Sequence, residues 1–236
     1  MKINAAVLEE LGKPLSIKSI DTPPLLRGQV LVKVLYSGVC RSQLMEAKGK
    51  RGADNWLPHL LGHEGSGIVQ EIGEGVTKIK AGDEVILGWV KGDGLEASGA
   101  KYTCGDQIIN SGCVTTFSNY SIVSENRLVK KPISLPFDIA VLFGCALPTG
   151  AGMVLNELKP SIDLSTIILG LGGIGLSALM ALKALNLRTI IAVDISDEKL
   201  SLAKELGATH IFNSMSTNIK QDIQKLTDGG ADRCIE

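Results

Sequence analysis

The sequence predicts an α/β chain with an all-β part: a barrel-like segment over residues 1–150 and a parallel-sheet segment over residues 151–236. Three observations predict it. Up to about residue 130, short alternating runs are separated by glycines. From Pro136 the apolar period lengthens to that of helices. After Thr166, apolar strands alternate with helical stretches.

In the first segment, Gln29-Val30-Leu31-Val32-Lys33-Val34 alternates, as do Ile68-Val69-Gln70-Glu71-Ile72 and Asp83-Glu84-Val85-Ile86-Leu87. Gly62, Gly65, Gly67, Gly73, Gly75 and Gly82 lie between such runs. Short period-two strands joined by tight turns describe an all-β barrel-like domain. Phe137 to Phe143 and Leu147 to Leu158 then read as helical, and Pro160 stops the second.

The second segment has a different rhythm. Thr166 to Leu169 and Thr189 to Val193 are apolar strands, and His210 to Asn213 is a third. Leu176 to Leu185 and Asp197 to Leu206 are helical, the latter ended by Gly207 at a position where glycine is favoured. Ile219, Ile223 and Leu226 mark another helix, and Ala231 to Glu236 begins a fourth strand. Strand–helix alternation of this kind implies a parallel sheet covered on both faces.

Bulk properties exclude several classes of function. A net charge of −1 and 4% aromatic residues leave neither a basic patch nor a base-stacking surface for nucleic acid. Met1-Lys2-Ile3-Asn4 opens no apolar signal region, because Glu9 and Glu10 follow at once. The most apolar stretch, Ile167 to Val193, is broken by glycines and Asn186 and is not read as a membrane span. Cys40, Cys104, Cys113, Cys145 and Cys234 are odd in number and widely spaced, which suits a reducing cytoplasm better than a disulfide framework.

Gly170-Leu171-Gly172-Gly173-Ile174-Gly175 is a G-x-G-x-x-G turn that leaves an apolar strand and opens an apolar helix, the context of a dinucleotide site. Gly170 serves the tight turn, Gly172 the approach of a pyrophosphate, and Gly175 the packing of helix on strand. Free N–H groups at the helix start would face the phosphates. Asp194 ends the next strand, where a carboxylate accepts from ribose hydroxyls and repels a 2′-phosphate. Asp197 and Glu198 add negative charge, no Arg stands in the stretch, and Lys199, the first base beyond, could steady the ribose, so NAD is expected rather than NADP. The bland reading is a glycine turn without cofactor, with Asp194 capping the next helix.

Cys40, His63 and Cys145 are the candidate metal ligands. A Cys₂His set is that of a catalytic zinc with one open position. Taken singly, either cysteine also reads as a small buried hydrophobe and His63 as a turn residue.

The surrounding sequence resembles the zinc-containing alcohol dehydrogenases of the medium-chain dehydrogenase/reductase family. The residues that carry the resemblance are Gly38-x-Cys40-Arg41-Ser42, Gly62-His63-Glu64-Gly65-x-Gly67-x-Val69, Gly73-x-Gly75-Val76, Gly82-Asp83-x-Val85, Gly144-Cys145, Thr149-Gly150 and the glycine turn. It runs from about Ala5 to the last residue.

The resemblance implies a GroES-like catalytic domain, a Rossmann cofactor domain and an active site between them. It implies one catalytic zinc on Cys40, His63 and Cys145, with Glu64 able to enter the coordination sphere. It also implies a substrate-facing hydroxyl at Ser42, a nicotinamide-side residue at Thr149, a pyrophosphate contact at Arg41 and a pocket residue at Trp89. The substrate would be an alcohol and its aldehyde or ketone, and the full-length protein a homodimer or homotetramer.

Departures from the family pattern are informative. Where many members carry Asp to orient the zinc histidine, this chain has Gln43, an uncharged acceptor. Met45 stands near a proton-relaying histidine of some members and cannot relay. Trp89 to Phe117 holds only Cys104 and Cys113, too few for a structural Cys₄ zinc, so none is expected. The ending inside Ala231 to Glu236 predicts a sheet lacking its second half, a longer natural protein and a chain inactive by itself. Two other functions compete: a metal-free reductase of quinones or activated double bonds, and a non-catalytic nucleotide-binding protein.

Overall fold

A computed structural model describes Met1–Glu236 as two compact units, Met1–Cys145 and Ala146–Glu236. The first contains strands β1 (Lys2–Leu8), β2 (Ser16–Asp21), β3 (Gln29–Ser37), β4 (His59–Leu60), β5 (Gly65–Ile72), β6 (Glu84–Leu87), β7 (Lys101–Cys104), β8 (Gln107–Asn110), β9 (Tyr120–Ser124) and β10 (Leu128–Lys130). β1, β2, β7, β8 and β4 close a barrel, while β10, β6, β5, β3 and β9 form a five-stranded sheet.

Period two explains how one strand serves two cores. On β3, Leu31 joins the barrel core of Ile3, Val7, Ile20, Tyr102, Ile109 and Ile122. Its neighbours Val30 and Val32 face the other way, into a cluster with Val69, Val85, Leu87, Val123 and Leu128. β9 repeats the pattern with Ile122 and Val123. Each such buried side chain contributes about 1.5–3 kcal/mol.

The first unit also holds α1 (Arg41–Ala47), which the alternating pattern does not signal, and α2 (Phe137–Ala140), which falls in the stretch read as helical and runs into a 3₁₀ turn over Val141–Gly144. Only Gln43 of α1 is buried, so no apolar stripe marks that helix. Its Arg, Gln, Leu, Met, Glu and Ala are nevertheless good helix formers.

The second unit begins with α3 (Ala146–Gly152) and a π-type turn over Met153–Leu158. It continues with β11 (Ser165–Leu169), α4 (Gly173–Ala184), β12 (Thr189–Asp194), α5 (Asp197–Glu205), β13 (His210–Asn213), α6 (Ile219–Leu226) and β14 (Arg233–Ile235). Within this unit α3 packs on α4. A Cβ on Gly150 would lie 2.2 Å from the Ile174 carbonyl. All strand pairs are parallel, in the order β13-β12-β11-β14. That order matches four consecutive places of the dinucleotide-binding sheet. No single helix is long and apolar enough to cross a membrane.

Candidate functional site

Three loops of the first unit bring Cys40, His63 and Cys145 together. Cys40 follows β3 and is the residue before α1. His63 lies between β4 and β5, and Cys145 follows the 3₁₀ turn. The three donor atoms lie within 4.8 Å of one another. His63 Nε2 is 3.3 Å from Cys145 Sγ, and the two sulfurs are 4.0 Å apart. Tetrahedral zinc with ordinary bond lengths would set these edges at about 3.6 and 3.8 Å. The donor set therefore fits a zinc ion in both chemistry and spacing.

Glu64 locks the three loops together. Its backbone carbonyl accepts from Gly38 N at 3.0 Å. A Cβ on Gly38 would lie 2.6 Å from the Glu64 side chain, and one on Gly144 would lie 2.7 Å from Glu64 Cα and 2.5 Å from the Leu87 carbonyl. At Gly144 no L side chain fits unless backbone moves, and at Gly38 one would displace the Glu64 side chain. The glycines two residues before Cys40 and one before Cys145 thus let the ligand loops close around Glu64, itself buried.

The His63 ring is oriented by Gln43 of α1. The Gln43 side-chain amide meets His63 Nδ1, and Gln43 Oε1 is buried without a partner. Nε2, the nitrogen facing the sulfurs, must be unprotonated to bind a metal, so Nδ1 must carry the proton and donate it. Turning the amide by 180° brings the orphan oxygen to that N–H as its acceptor. Burial, aided by the charge of Arg51, lowers the His63 pKa and favours the neutral ring that a metal requires.

In the second unit, Gly170 has φ +91° and Gly172 precedes α4. Gly175 packs so closely that a Cβ would lie 2.0 Å from the Gly170 carbonyl. A Cβ on Gly170 or Gly172 would meet nothing within 4 Å, so the turn presents an open face at the start of a twelve-residue helix. Gly173 and Ile174 are also exposed. Asp194 accepts from Leu171 N at 2.7 Å and Ser196 N at 3.0 Å, with Lys199 Nζ at 3.9 Å. The cap of α5 is Ser196, which accepts from Lys199 N; Asp194 instead ties the end of β12 to the glycine turn.

Comparison with known proteins follows the same two-part division. Residues 26–133 match the alcohol dehydrogenase GroES-like domain, and residues 173–236 match the zinc-binding dehydrogenase family. A solved structure from Burkholderia ambifaria, described as an alcohol dehydrogenase zinc-binding domain protein, is 30% identical with a TM-score of 0.90, over 99% of this chain and 70% of that one. Benzyl alcohol dehydrogenase from Acinetobacter calcoaceticus is 32% identical with a TM-score of 0.87, over the same shares. The chain belongs to the zinc-dependent alcohol dehydrogenases of the medium-chain dehydrogenase/reductase family. A further structure, a short chain alcohol dehydrogenase from E. coli complexed with NADH, is 25% identical with a TM-score of 0.77, over 95% of this chain and 66% of that one.

Other residues expected to serve this dehydrogenase fall on the same two frameworks. Arg41 and Ser42 open α1, directly after Cys40. Ser42 is half-buried and Arg41 exposed. Trp89 N–H donates to the Gly144 carbonyl at 3.3 Å, beside Cys145, and its side chain is half exposed. Thr149 lies half-buried on α3. Cys104 Sγ lies 3.7 Å from the Ser19 carbonyl, and Cys113 is half-buried. Sequence reasoning passed over a second cluster, Glu46, Asp54 and His59. Its only signal was a second histidine four residues before His63.

Proposed function

We propose that this dehydrogenase oxidises an alcohol to an aldehyde or ketone with NAD, and runs the reverse reaction, with one catalytic zinc held by Cys40, His63 and Cys145. The convergence of those three donors carries the reading. When bound, zinc supplies Lewis acidity that lowers the pKa of an alcohol hydroxyl, and NAD supplies the hydride acceptor.

The chain's own residues do the rest. Two thiolates and a neutral imidazole offset the charge of a divalent ion. Gln43 holds His63 in the tautomer that leaves Nε2 free, and Glu64, packed against both ligand-bearing loops, is close enough in sequence to exchange with a ligand. Ser42 Oγ accepts the substrate proton from its place two residues beyond Cys40. With Met45 nearby unable to relay, that proton leaves through water or the ribose hydroxyls.

In the second unit, the Gly170–Gly175 turn and the N–H groups of α4 bind the pyrophosphate, and Arg41 of the first unit is a candidate contact for the same group only by its place directly after Cys40. Asp194 retains acceptor capacity for the ribose hydroxyls beyond its two backbone bonds. Lys199 steadies the same sugar, and Thr149 flanks the nicotinamide. The domains divide at about residue 150, and the assembled protein is a cytoplasmic homodimer or homotetramer.

The test is NADH formation by zinc-loaded protein across primary, secondary and benzylic alcohols. Turnover that is abolished by a chelator and restored by zinc supports the reading. Reduction of quinones or enones with no zinc requirement would replace it with the metal-free alternative.

A further inference from the structure

Glu46, Asp54 and His59 place three donor atoms within 4.8 Å of one another, apart from the Cys40–His63–Cys145 set. They line a cavity of about 560 Å³ within the first unit. Glu46 lies near the end of α1, Asp54 in the following loop, and His59 on β4.

His59 is only 7% exposed, and its environment fixes what each nitrogen does. Nδ1 is 3.0 Å from the Leu60 carbonyl, which can only accept, so Nδ1 carries a proton. Nε2 faces Asp54 Oδ2 at 2.8 Å and Glu46 Oε1 at 3.9 Å. A neutral ring so held aims its lone pair at two carboxylates. Three acceptors converge, and only a cation among them relieves the repulsion: a proton on Nε2 or a metal ion.

Several features favour the metal. Asp54 Oδ1 accepts from Trp56 N at 2.9 Å, and Glu46 Oε2 is 3.3 Å from Arg51 Nη1. One oxygen of each carboxylate is thus anchored outward, and the other is left for the centre. The 2.8 and 3.9 Å separations bracket the edge of about 3.3 Å expected around tetrahedral zinc with nitrogen and oxygen ligands. A backbone carbonyl on the far ring nitrogen is the usual way of orienting a metal-binding histidine. Two carboxylates neutralise a divalent ion, and the adjoining cavity has room for a water beside them.

We propose that His59 Nε2, Asp54 Oδ2 and Glu46 Oε1 form a second metal site, which takes a divalent first-row ion such as zinc without any sulfur ligand. The ion would tie α1, which carries Ser42 and Gln43, to β4, which leads into His63. It would brace the catalytic ligands without touching substrate.

The full chain, stripped of metal, is titrated with zinc, and the bound equivalents are counted after gel filtration. The expected result is two for wild type and one for both His59→Gln and Asp54→Asn. Zinc-edge X-ray absorption of wild type at two equivalents should average one sulfur per zinc, a readout that needs no variant to fold. A single equivalent in wild type with two sulfurs per zinc would overturn the proposal and leave the catalytic centre standing. So would two equivalents retained in both variants. Absence of sulfur altogether would instead contradict the Cys40–His63–Cys145 centre.

Discussion

The side-chain amide of Gln43 contacts Nδ1 of His63, the ring nitrogen opposite the one that faces the cysteines. The contact makes a helix residue responsible for the tautomer of a candidate metal ligand. Gln43→Ala removes the acceptor and leaves the His63 N–H buried. Zinc affinity should fall roughly 10- to 100-fold, as for loss of other partners behind a ligand. Competition with a chromophoric chelator measures it, and an unchanged affinity would remove Gln43 from the site.

Ser42 follows Cys40 by two residues on the same helix start. Ser42→Ala should lower alcohol turnover by roughly 100-fold or more while zinc content stays constant. Turnover equal to wild type, with hydride transfer rate-limiting, would take Ser42 out of the proton path.

Much of this arrangement is legible in the sequence. The strands of the second unit announce themselves because a parallel sheet buried on both faces demands continuous apolar runs such as Thr189–Val193. Gly175 announces itself because only glycine can lie against the Gly170 carbonyl. Cys40, His63 and Cys145 were nameable through the segments around them, but their meeting depends on contacts far apart in the chain. Gly38 and Gly144 both closing on Glu64 is such a contact. α1 left no periodic signal because one buried residue makes no stripe. The role of Asp194 was half legible: its place at the end of β12 could be read, but not that both oxygens hold backbone N–H groups while Ser196 caps α5.

Glu125 gives the first unit a pH-dependent clamp. It is 1% exposed, and its carboxylate accepts from Thr77 N, Lys78 N and Leu95 N at 2.7–2.8 Å. Burial alone would raise its pKa, but these three donors and the charge of Lys78 outweigh it and hold the carboxyl below its ordinary value. A folded pKa below the unfolded one means the stabilisation is complete above the unfolded value of about 4.3 and is lost as pH falls through the folded value. Glu125→Gln should cost about 2 kcal/mol at pH 7, from weakened charge-assisted bonds. Urea unfolding of both proteins should show that gap closing below about pH 4. A gap independent of pH would mean the charge contributes nothing.

Asp194 should set cofactor choice. The carboxylate, kept ionised by its backbone donors despite burial, repels a 2′-phosphate of charge near −2. Wild type should favour NAD over NADP in kcat/KM, and Asp194→Gly should narrow the ratio mainly by losing activity with NAD. The variant also frees Leu171 N and Ser196 N, so its Tm should fall. Equal use of both cofactors by wild type would place the ribose away from Asp194.

The most direct test of a shared ion at Cys40, His63 and Cys145 is zinc-edge X-ray absorption of the full chain loaded with one equivalent of zinc. A common site predicts two sulfurs at about 2.3 Å and a histidine nitrogen at about 2.0–2.1 Å, because thiolates claim the first ion bound. A shell of oxygen and nitrogen alone would contradict it.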